Sequence, residues 1–239
     1  MEITTNAVVL NAIKYQDSSL IVRCFTESEG VKSYLLRGVL KSKKGKLKAA
    51  YFQPLTQLKI TAKHNNKGSL NHIKEVEVIH HYNSIYKDIS KQSIALFLSE
   101  VLTNSIREEE SNKVLYEYLE ASLLWLDTHD KISNFHLFFM LNLSKYLGFY
   151  PDLSNKDLDF FDLTKGHFTA QKPYSVHIFG NELKEFKKLL GINFDALNKV
   201  QYNSKTRQQL LLILIQYFEL HLSGFKKPKS LDILKVIFS

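Results

Sequence analysis

Hydrophobic and polar residues alternate through the first third of the chain, and this period of two stops near residue 80. Such alternation is typical of strands with one buried face. The β-branched or aromatic runs occupy residues 8–13, 19–25, 31–36, 58–62 and 70–78. Turn-forming residues separate these runs, and Asn65-Asn66-Lys67-Gly68 gives the strongest turn signal. Five short strands predict a small closed barrel of OB-fold size, although an SH3-like barrel fits the periodicity almost as well.

Beyond residue 80 the apolar residues recur at a spacing of three and four, which predicts helices. The predicted helices cover residues 94–102, 115–126, 134–147, 183–190, 205–223 and 230–238. Ser133 or Asn134 is expected to cap the third helix, and Gly148 and Gly191 are expected to end the third and fourth. Residues 210–215 are apolar on every side, which is typical of a helix at the centre of a bundle.

One segment of the helical part departs from the helical period. Residues 158–163 and 167–169 flank Thr164-Lys165-Gly166, which predicts a β-hairpin inserted between helices. The predicted fold is therefore α+β, with an N-terminal five-stranded OB-fold β-barrel followed by an all-helical C-terminal domain that carries a small β-hairpin insertion. We expect the barrel in residues 1–80, the helical domain in residues 81–239 and the insertion in residues 152–180.

The composition indicates the cellular compartment in which the protein is expected. Apolar residues make up 44% of the sequence, enough to build a core, and the single cysteine, Cys24, lies in an alternating run where a small buried side chain is expected. One cysteine excludes an internal disulfide, which fits a reducing cytosol. The longest wholly apolar run is six residues, and the first residues do not resemble a secretory signal. We therefore expect a cytoplasmic protein with no membrane association.

The formal net charge is +8, and its position is more informative than its size. Residues 1–80 hold 13 Lys or Arg and 6 Asp or Glu, a net charge of +7. Residues 81–239 hold 19 Lys or Arg and 18 Asp or Glu, a net charge of +1. A positive charge confined in this way predicts a polyanionic partner, either nucleic acid or an acidic membrane surface.

The densest positive charge falls within residues 32–48, which contain no acid and which we name the basic stretch. Its cations are Lys32, Arg37, Lys41, Lys43, Lys44, Lys46 and Lys48. Clustered cations neutralise phosphates and release counterions, so these residues are the predicted DNA-binding site. Tyr34, Tyr51 and Phe52 are candidates for base stacking, although such aromatics are more often part of a core. The alternative interpretation of the stretch is a solvated loop with no partner.

A smaller basic patch follows the long apolar helix, at Lys226, Lys227 and Lys229. We expect it either to extend a DNA-binding track or to contact an acidic peptide. Positive charge just past a helix C-terminus is also favourable by itself, because the helix dipole is negative there. The patch is therefore a secondary candidate.

No motif for catalysis or for a bound cofactor is evident. The glycines of the basic stretch are spaced too widely for the phosphate-binding loop of an ATPase, and Leu47 stands where a magnesium-binding hydroxyl is required. The nine histidines lack metal-ligand spacing, and the acidic residues between 152 and 162 lack the glycine and terminal glutamate of a calcium loop. We therefore predict a protein that is not an enzyme and that has no metal or other cofactor.

Short motifs in a fixed order resemble those of the RecO family. In the first part of the chain they are Val8-Val9-Leu10, Tyr15, Asp17-Ser18, Phe25-Thr26, Gly30, Arg37-Gly38, Lys41-Ser42 and Phe52-Gln53-Pro54-Leu55. Further along they are Leu143 with Tyr146-Leu147-Gly148-Phe149-Tyr150-Pro151, then His221-Leu222-Ser223-Gly224-Phe225 and Lys229-Ser230-Leu231. Each motif alone is weak, but their order and spacing span nearly the whole chain.

The resemblance implies an OB-fold followed by helices, and a role in DNA repair and homologous recombination. RecO proteins bind single- and double-stranded DNA and anneal complementary strands without ATP. The implied partners are RecR and the acidic C-terminal tail of single-stranded-DNA-binding protein, with which RecO proteins help to load RecA. The same role implies association with the nucleoid.

One departure from the family pattern concerns zinc. Many RecO proteins carry a four-cysteine zinc site after the mid-chain motif, whereas residues 152–180 contain no cysteine. We therefore predict an insertion without zinc. The side chains expected to hold it together instead are Leu158, Phe160, Phe161, Leu163 and Phe168.

Two other classes of protein stay open on the residues alone. An RNA-binding OB-fold protein would use the same cations, but it would prefer structured RNA and would not anneal strands. A protein–protein adaptor would work through the helical domain, and its partner binding would survive charge reversal in the basic stretch. A nuclease is a more distant alternative, because no carboxylate cluster lies near those cations in the sequence.

Overall fold

A computed structural model describes residues 2–41, 47–64, 70–107, 110–197 and 199–238. Contacts within the chain divide it into two compact units. The first unit is Met1–Thr128 with Pro228–Ser230, and the second is His129–Lys227 with Leu231–Ser239. This division concerns packing, and the domain boundary expected near residue 80 stays a prediction. Within the described ranges, no helix is long and apolar enough to cross a membrane.

Five strands form a barrel in the first unit, and the predicted OB-fold is confirmed. They are β1 (Glu2–Tyr15), β2 (Ser19–Thr26), β3 (Gly30–Leu36), β4 (Gln57–Lys63) and β5 (His72–Val78). Antiparallel pairing gives the order β3-β2-β1-β4-β5. The barrel closes at a parallel bridge, where Leu35 N donates to Asn71 O and Asn71 N donates to Ser33 O, each at 2.9 Å. The turn predicted at residues 65–68 lies outside the described residues.

Strand β1 is longer than predicted. The hydrophobic pattern did not show its first residues, because they are mostly polar. Residues 2–8 pair with β4, and residues 7–15 pair with β2. The register shifts between Val9 and Asn11, which marks a bulge that bends the strand so that it serves both neighbours. One long bent strand therefore replaces the short run expected at residues 8–13.

The barrel core is built from alternate residues of the five strands, as the period of two predicted. It includes Ala7, Val9, Val22, Cys24, Tyr34, Leu36, Leu58, Ile60 and Ala62. Cys24 is fully buried, and burial raises the pKa of its thiol to about 12. The expectation of a small buried hydrophobic residue at Cys24 is therefore confirmed.

Helices α1 (Ile89–Ser105) and α2 (Lys113–Thr128) belong to the first unit. Asp88 caps α1, because its carboxylate accepts hydrogen bonds from Ser90 N at 2.8 Å and Lys91 N at 3.0 Å. The cap satisfies two backbone donors that have no partner within the helix.

The C-terminal end of α1 lies over the outer side of β2. Arg23 of β2 donates to Thr103 O at 3.1 Å and to Ile106 O at 2.9 Å. A cation is favourable at the carbonyl end of a helix, so this contact stabilises the packing of α1 on the barrel. Arg23 is thereby held by the fold and is not one of the barrel's exposed cations.

The end of α2 holds the segment that leaves the barrel. The Asp127 carboxylate accepts hydrogen bonds from Asn83 N and Ser84 N at 2.8 Å and from Ile85 N at 3.0 Å. Ser84 also donates through its hydroxyl, and the buried Lys91 Nζ donates to Ser84 Oγ at 2.7 Å and Asp127 O at 3.0 Å. This cluster connects residues 83–85 with both helices of the unit.

The second unit combines helices with a small sheet. Its elements are α3 (Phe135–Tyr146), β6 (Phe160–Asp162), β7 (His167–Thr169), β8 (His177–Phe179), α4 (Gly180–Lys187), α5 (Phe194–Leu197), α6 (Ser204–His221) and α7 (Leu231–Ile237). Gly148 follows α3 with φ +83°, so the predicted left-handed end of that helix is confirmed. Helix α5 has four residues and was not predicted.

Three details of the second unit differ from the sequence prediction. The insertion is a three-stranded sheet of order β7-β6-β8, because β8 adds to the predicted hairpin. Helix α4 ends at Lys187, and tighter i→i+3 turns carry the chain on to Leu190. Helix α6 is not buried all round, since Leu212 and Leu220 are exposed on one side of it.

Asn134 precedes α3, but its side chain does not cap the helix. Its Nδ2 donates to Val200 O at 2.7 Å, and its Oδ1 accepts from Arg207 Nε at 3.2 Å. Arg207 also donates to Phe238 O at 3.1 Å and to Tyr202 O at 3.0 Å. Asn134 therefore joins a network that ties the end of α7 to α6.

Candidate nucleic-acid interface

The basic stretch begins in β3 and forms most of the connection from β3 to β4. Lys32 lies within β3 and is half-buried, whereas Arg37, Lys41 and Lys48 are exposed. Lys43, Lys44 and Lys46 lie outside the described residues. The structure thus places four of the seven predicted cations on the barrel or at the two ends of its longest connection.

Hydrogen bonds fix the start of the connection against the β1–β2 turn. Leu40 N donates to Ser18 O at 2.9 Å, and Gly38 N donates to Ser19 Oγ at 3.4 Å. Val39 is buried between them, and Gly38 has φ +68°, a conformation that glycine adopts readily. The backbone next to Arg37 and Lys41 is therefore held in a fixed position beside the β1–β2 turn.

The end of the connection is fixed by a short 3₁₀ turn at Ala49–Phe52. Phe52 is buried in the barrel core, and Tyr51 N donates to Lys48 O at 3.0 Å. The Lys48 ammonium lies 5.8 Å from the centroid of the Tyr51 ring, within cation–π range. Lys48 is therefore oriented as well as exposed.

Two tyrosines hold the chain where it re-enters the barrel. Tyr82 donates to Leu55 O at 3.0 Å, and Tyr86 donates to Pro54 O at 2.9 Å. Burial raises the pKa of Tyr86 to about 12 and that of Tyr82 further, so both hydroxyls stay protonated donors at neutral pH. Leu55 has φ +65°, and this unfavourable conformation is maintained by those contacts and by the bond from Leu55 N to Val9 O at 2.8 Å.

The aromatic residues considered for base stacking are mostly core residues. Tyr34 is fully buried, and its hydroxyl lies 2.9 Å from His64 Nε2. Phe52 is also buried, which leaves only the half-buried Tyr51 near the basic stretch among the three. Burial thus excludes stacking of bases on Tyr34 or Phe52.

Sequence reasoning missed two exposed residues next to these cations. Lys14 and Tyr15 end β1 directly before the turn that contacts Gly38 and Leu40. The signals in the sequence were their position before Asp17-Ser18, a turn-forming pair, and the place of Tyr15 among the motifs that resemble the RecO family.

The opposite edge of the sheet has a different electrostatic character. An open depression on β4 and β5 is lined by Lys59, Glu75 and Glu77, together with Thr4 and Thr61. Two carboxylates and one ammonium make this surface unsuited to a polyanion. The charge distribution therefore favours phosphate contacts at the β1–β2 turn and the basic stretch.

The secondary patch follows α6. Lys226 and Lys227 are exposed residues of the second unit, whereas Lys229 is an exposed residue of the first. Lys229 is held in place by its neighbour, because Ser230 N and Oγ donate to the Glu100 carboxylate at 3.0 and 2.9 Å. Each lysine is accessible to an anion within its own unit.

The small sheet of the second unit is stabilised by aromatic packing and by one carboxylate. The rings of Phe161 and Phe168 lie 4.9 Å apart, and both side chains are buried together with Leu163. Leu158 and Phe160, also expected to hold the insertion, are only half-buried. The Asp162 carboxylate accepts from Thr164 N at 2.9 Å, Lys165 N at 3.2 Å and Ser175 Oγ at 2.7 Å.

Asp162 is thus engaged with protein donors. Burial would raise the pKa of Asp162, but these hydrogen bonds outweigh it and hold the pKa below the usual value. In the part of the chain that the structure describes, no three side chains of His, Cys, Asp or Glu are grouped closely enough to hold a metal ion.

Comparison with known proteins gives one consistent result. Residues 1–82 match the family profile described as "Recombination protein O N terminal", and residues 86–232 match the profile "Recombination protein O C terminal". The chain is 51% identical to the DNA repair protein RecO of Flavobacterium psychrophilum and 50% identical to that of Flavobacterium johnsoniae. Each alignment covers the full length of both chains. The corresponding protein of Bacteroides fragilis is 40% identical over 98% of each chain.

Both halves of the chain match the same family, and the relatives align over their whole length. The observed fold, a barrel followed by helices with a small sheet, agrees with the one that the sequence motifs implied. The chain therefore belongs to the RecO family, and this membership supports a role in DNA repair and recombination.

Proposed function

We propose that this protein binds single- and double-stranded DNA and anneals complementary strands without ATP. In the cell it would act with RecR and with the acidic C-terminal tail of single-stranded-DNA-binding protein to help load RecA. The proposal is supported by membership of the RecO family and by the exposed cations of the basic stretch.

The observation that carries the proposal is the way the basic stretch is attached to the barrel. Its start is bonded to Ser18 and Ser19, and the chain after it is bonded to Tyr82 and Tyr86. Arg37 and Lys41 at the start of this connection and Lys48 at its end are thereby exposed cations held on the barrel. Such a surface concentrates phosphates and steers DNA toward it.

Annealing follows from the same electrostatics. Two single strands repel each other through their phosphates, and a shared positive surface lowers this repulsion while it holds both strands. Base pairing then supplies the driving force, so no covalent step is required. Lys226, Lys227 and Lys229 are the proposed secondary contact, either for DNA or for an acidic peptide tail.

The test is annealing of two complementary, fluorophore-labelled strands without ATP. We expect the wild-type protein to accelerate it. We expect the acceleration to be lost when Lys41, Lys43, Lys44, Lys46 and Lys48 are changed to Glu. If about five cations contact phosphates, the logarithm of single-strand affinity should fall with the logarithm of salt concentration at a slope near −3.5.

A charge-matched control separates the site from net charge. It changes five lysines outside the basic stretch to Glu, namely Lys113, Lys131, Lys172, Lys184 and Lys199, all of them exposed. This control should keep most of the annealing. Equal loss in both variants would refute the assignment of the site, and no acceleration by the wild-type protein would refute the annealing function. Tighter binding to structured RNA than to DNA would favour an RNA-binding protein instead.

A further inference from the structure

The β1–β2 turn presents an exposed aromatic ring. Tyr15 is the last residue of β1 and pairs with Ser19, the first residue of β2. Gln16 follows it with φ +53°, a conformation that is uncommon for residues other than glycine and that concentrates at functional sites. Tyr15 is 41% exposed although it is a large residue in a paired strand.

The register shows which face of the barrel Tyr15 occupies. Residues opposite each other in an antiparallel pair lie on the same face, and so do residues two apart in one strand. Tyr15 therefore shares a face with Ile13, which is 59% exposed and pairs with Ile21. Val22, the next residue of β2, points into the core, so this shared face is the outer one.

The segments that form and contact this turn carry cations. Lys14 precedes Tyr15, and Arg37 directly precedes Gly38, whose amide donates to the hydroxyl of Ser19. Lys41 follows Leu40, whose amide donates to Ser18 O. In residues 12–18 and 37–41 the only acid is Asp17, so positive charge predominates in the segments that form and contact the turn next to Tyr15.

An exposed ring next to cations is the arrangement that binds an unpaired base and its phosphates. Bases stack on aromatic side chains whatever their sequence, and nearby cations neutralise the backbone. OB-folds bind oligonucleotides on strands 2 and 3 and at the loop between strands 1 and 2, which is where Tyr15 lies. In duplex DNA the faces of the bases are already stacked, so the ring has no base to accept.

We propose that Tyr15 is a base-stacking residue that makes this protein prefer single-stranded to double-stranded DNA. The proposal rests on the DNA binding proposed above and adds the residue that distinguishes the two forms. The cations of the basic stretch contact phosphates in both forms, whereas the Tyr15 ring contacts only a free base.

The experiment measures binding of a labelled thymidine oligomer and of a labelled duplex by fluorescence anisotropy at several salt concentrations. The change Tyr15→Ala should weaken binding of the single strand by about 5- to 150-fold, the range for loss of one stacked base. Binding of the duplex should change by less than about twofold. The salt dependence should keep its slope, because no cation is removed.

Three further variants make the result specific. Tyr15→Phe should keep the affinity for single strands, because the ring is retained, whereas Tyr15→Leu should lose it although an apolar side chain remains. Tyr174→Ala is the control for removal of an exposed tyrosine, since Tyr174 is fully exposed in the second unit. Unfolding curves recorded with the fluorescence of Trp125, the single tryptophan, would show that each variant is folded.

The outcomes separate this inference from the function on which it rests. Equal affinity of wild-type protein and Tyr15→Ala for the single strand would overturn the role of Tyr15. So would an equal loss on single strand and duplex, or full retention by Tyr15→Leu, which would indicate apolar docking instead of stacking. If the wild-type protein bound neither DNA at low salt, the proposed function itself would fail.

Discussion

Replacing Asp127 should destabilise the first unit more than any change at an exposed carboxylate. Its side chain accepts three backbone hydrogen bonds, from Asn83, Ser84 and Ile85, and a fourth from the Ser84 hydroxyl at 3.1 Å. The change Asp127→Ala leaves these donors without their acceptor, and the Ile85 amide among them is buried. The buried Lys91 ammonium, bonded to Ser84 Oγ, loses the nearby negative charge as well.

The expected loss follows from these contacts. A hydrogen bond to a charged group contributes about 1.5–3 kcal/mol, and a buried donor left unsatisfied costs about 1–3 kcal/mol. Such contributions are not additive within one cluster, and water can enter the space left by the carboxylate. We therefore expect Asp127→Ala to lower the free energy of unfolding by about 3–5 kcal/mol.

The assay is urea unfolding followed by the fluorescence of Trp125, which lies two residues before Asp127 in α2. Asp130→Ala is the control, because Asp130 is exposed and close by in the sequence. The control should stay within about 0.5 kcal/mol of the wild-type protein. A loss of less than about 1 kcal/mol for Asp127→Ala, on the scale of an ordinary exposed residue, would refute the reasoning.

The same carboxylate predicts a pH dependence. Burial would raise the pKa of Asp127, but the hydrogen bonds from Asn83, Ser84 and Ile85 outweigh it, and the pKa is lower than in the unfolded chain. A depressed pKa contributes stability that is complete above the unfolded value of about 4 and is lost as the pH falls toward the folded value. The difference in stability between wild type and Asp127→Asn should therefore be constant down to about pH 4 and shrink below it. A difference that grew on acidification would contradict this sign.

Other predictions concern single side chains. Cys24 should not react with thiol reagents until urea unfolds the protein, because it is buried with a raised pKa; rapid labelling of the native protein would contradict this. Gly166→Ala should cost at least about 1 kcal/mol in thermal unfolding, since Gly166 has φ +70° and a Cβ would lie 2.6 Å from the Tyr217 hydroxyl oxygen; an unchanged midpoint would show that the site relaxes. Arg207→Met should cost about 2–4 kcal/mol, read by near-UV circular dichroism, because it removes the donor to three acceptors. Tyr82→Phe should cost about 1–2 kcal/mol by urea unfolding, through loss of the bond to Leu55 O.

The elements that could be predicted from the sequence are those with one clearly buried face. Alternation located β2 and β3 to within one residue, and the three- and four-residue spacing located α2 to within two, because burial dictates the residue type at each step. The start of β1 was missed because residues 2–6 are polar except for Ile3. Strand β8 was missed because three residues are too few to show a period and, unlike β6 and β7, it is not joined to its partner by a short glycine-containing turn.

Contacts between residues that are distant in the sequence could not be predicted, because they form only in the folded protein. Asn134 has the residue type of a helix cap, but its amide pairs with Val200 and Arg207, which lie 66 and 73 residues away in the sequence. The bonds from Tyr82 and Tyr86 to the chain after the basic stretch likewise depend on the packed barrel. For the candidate site, the sequence identified the charge, whereas the exposure of Tyr15 beside it required the structure.

The bond between Glu100 and Ser230 also bears on how the protein is made. The two residues are 130 positions apart, and the whole segment 129–227 separates them. During translation the barrel, α1 and α2 leave the ribosome first, but residues 228–230 follow only after residues 129–227 of the second unit have been synthesised. The first unit therefore cannot complete its packing until nearly the whole chain has been synthesised. A ribosome-bound chain ending before residue 228 should be more easily digested by protease at α1 than the full chain.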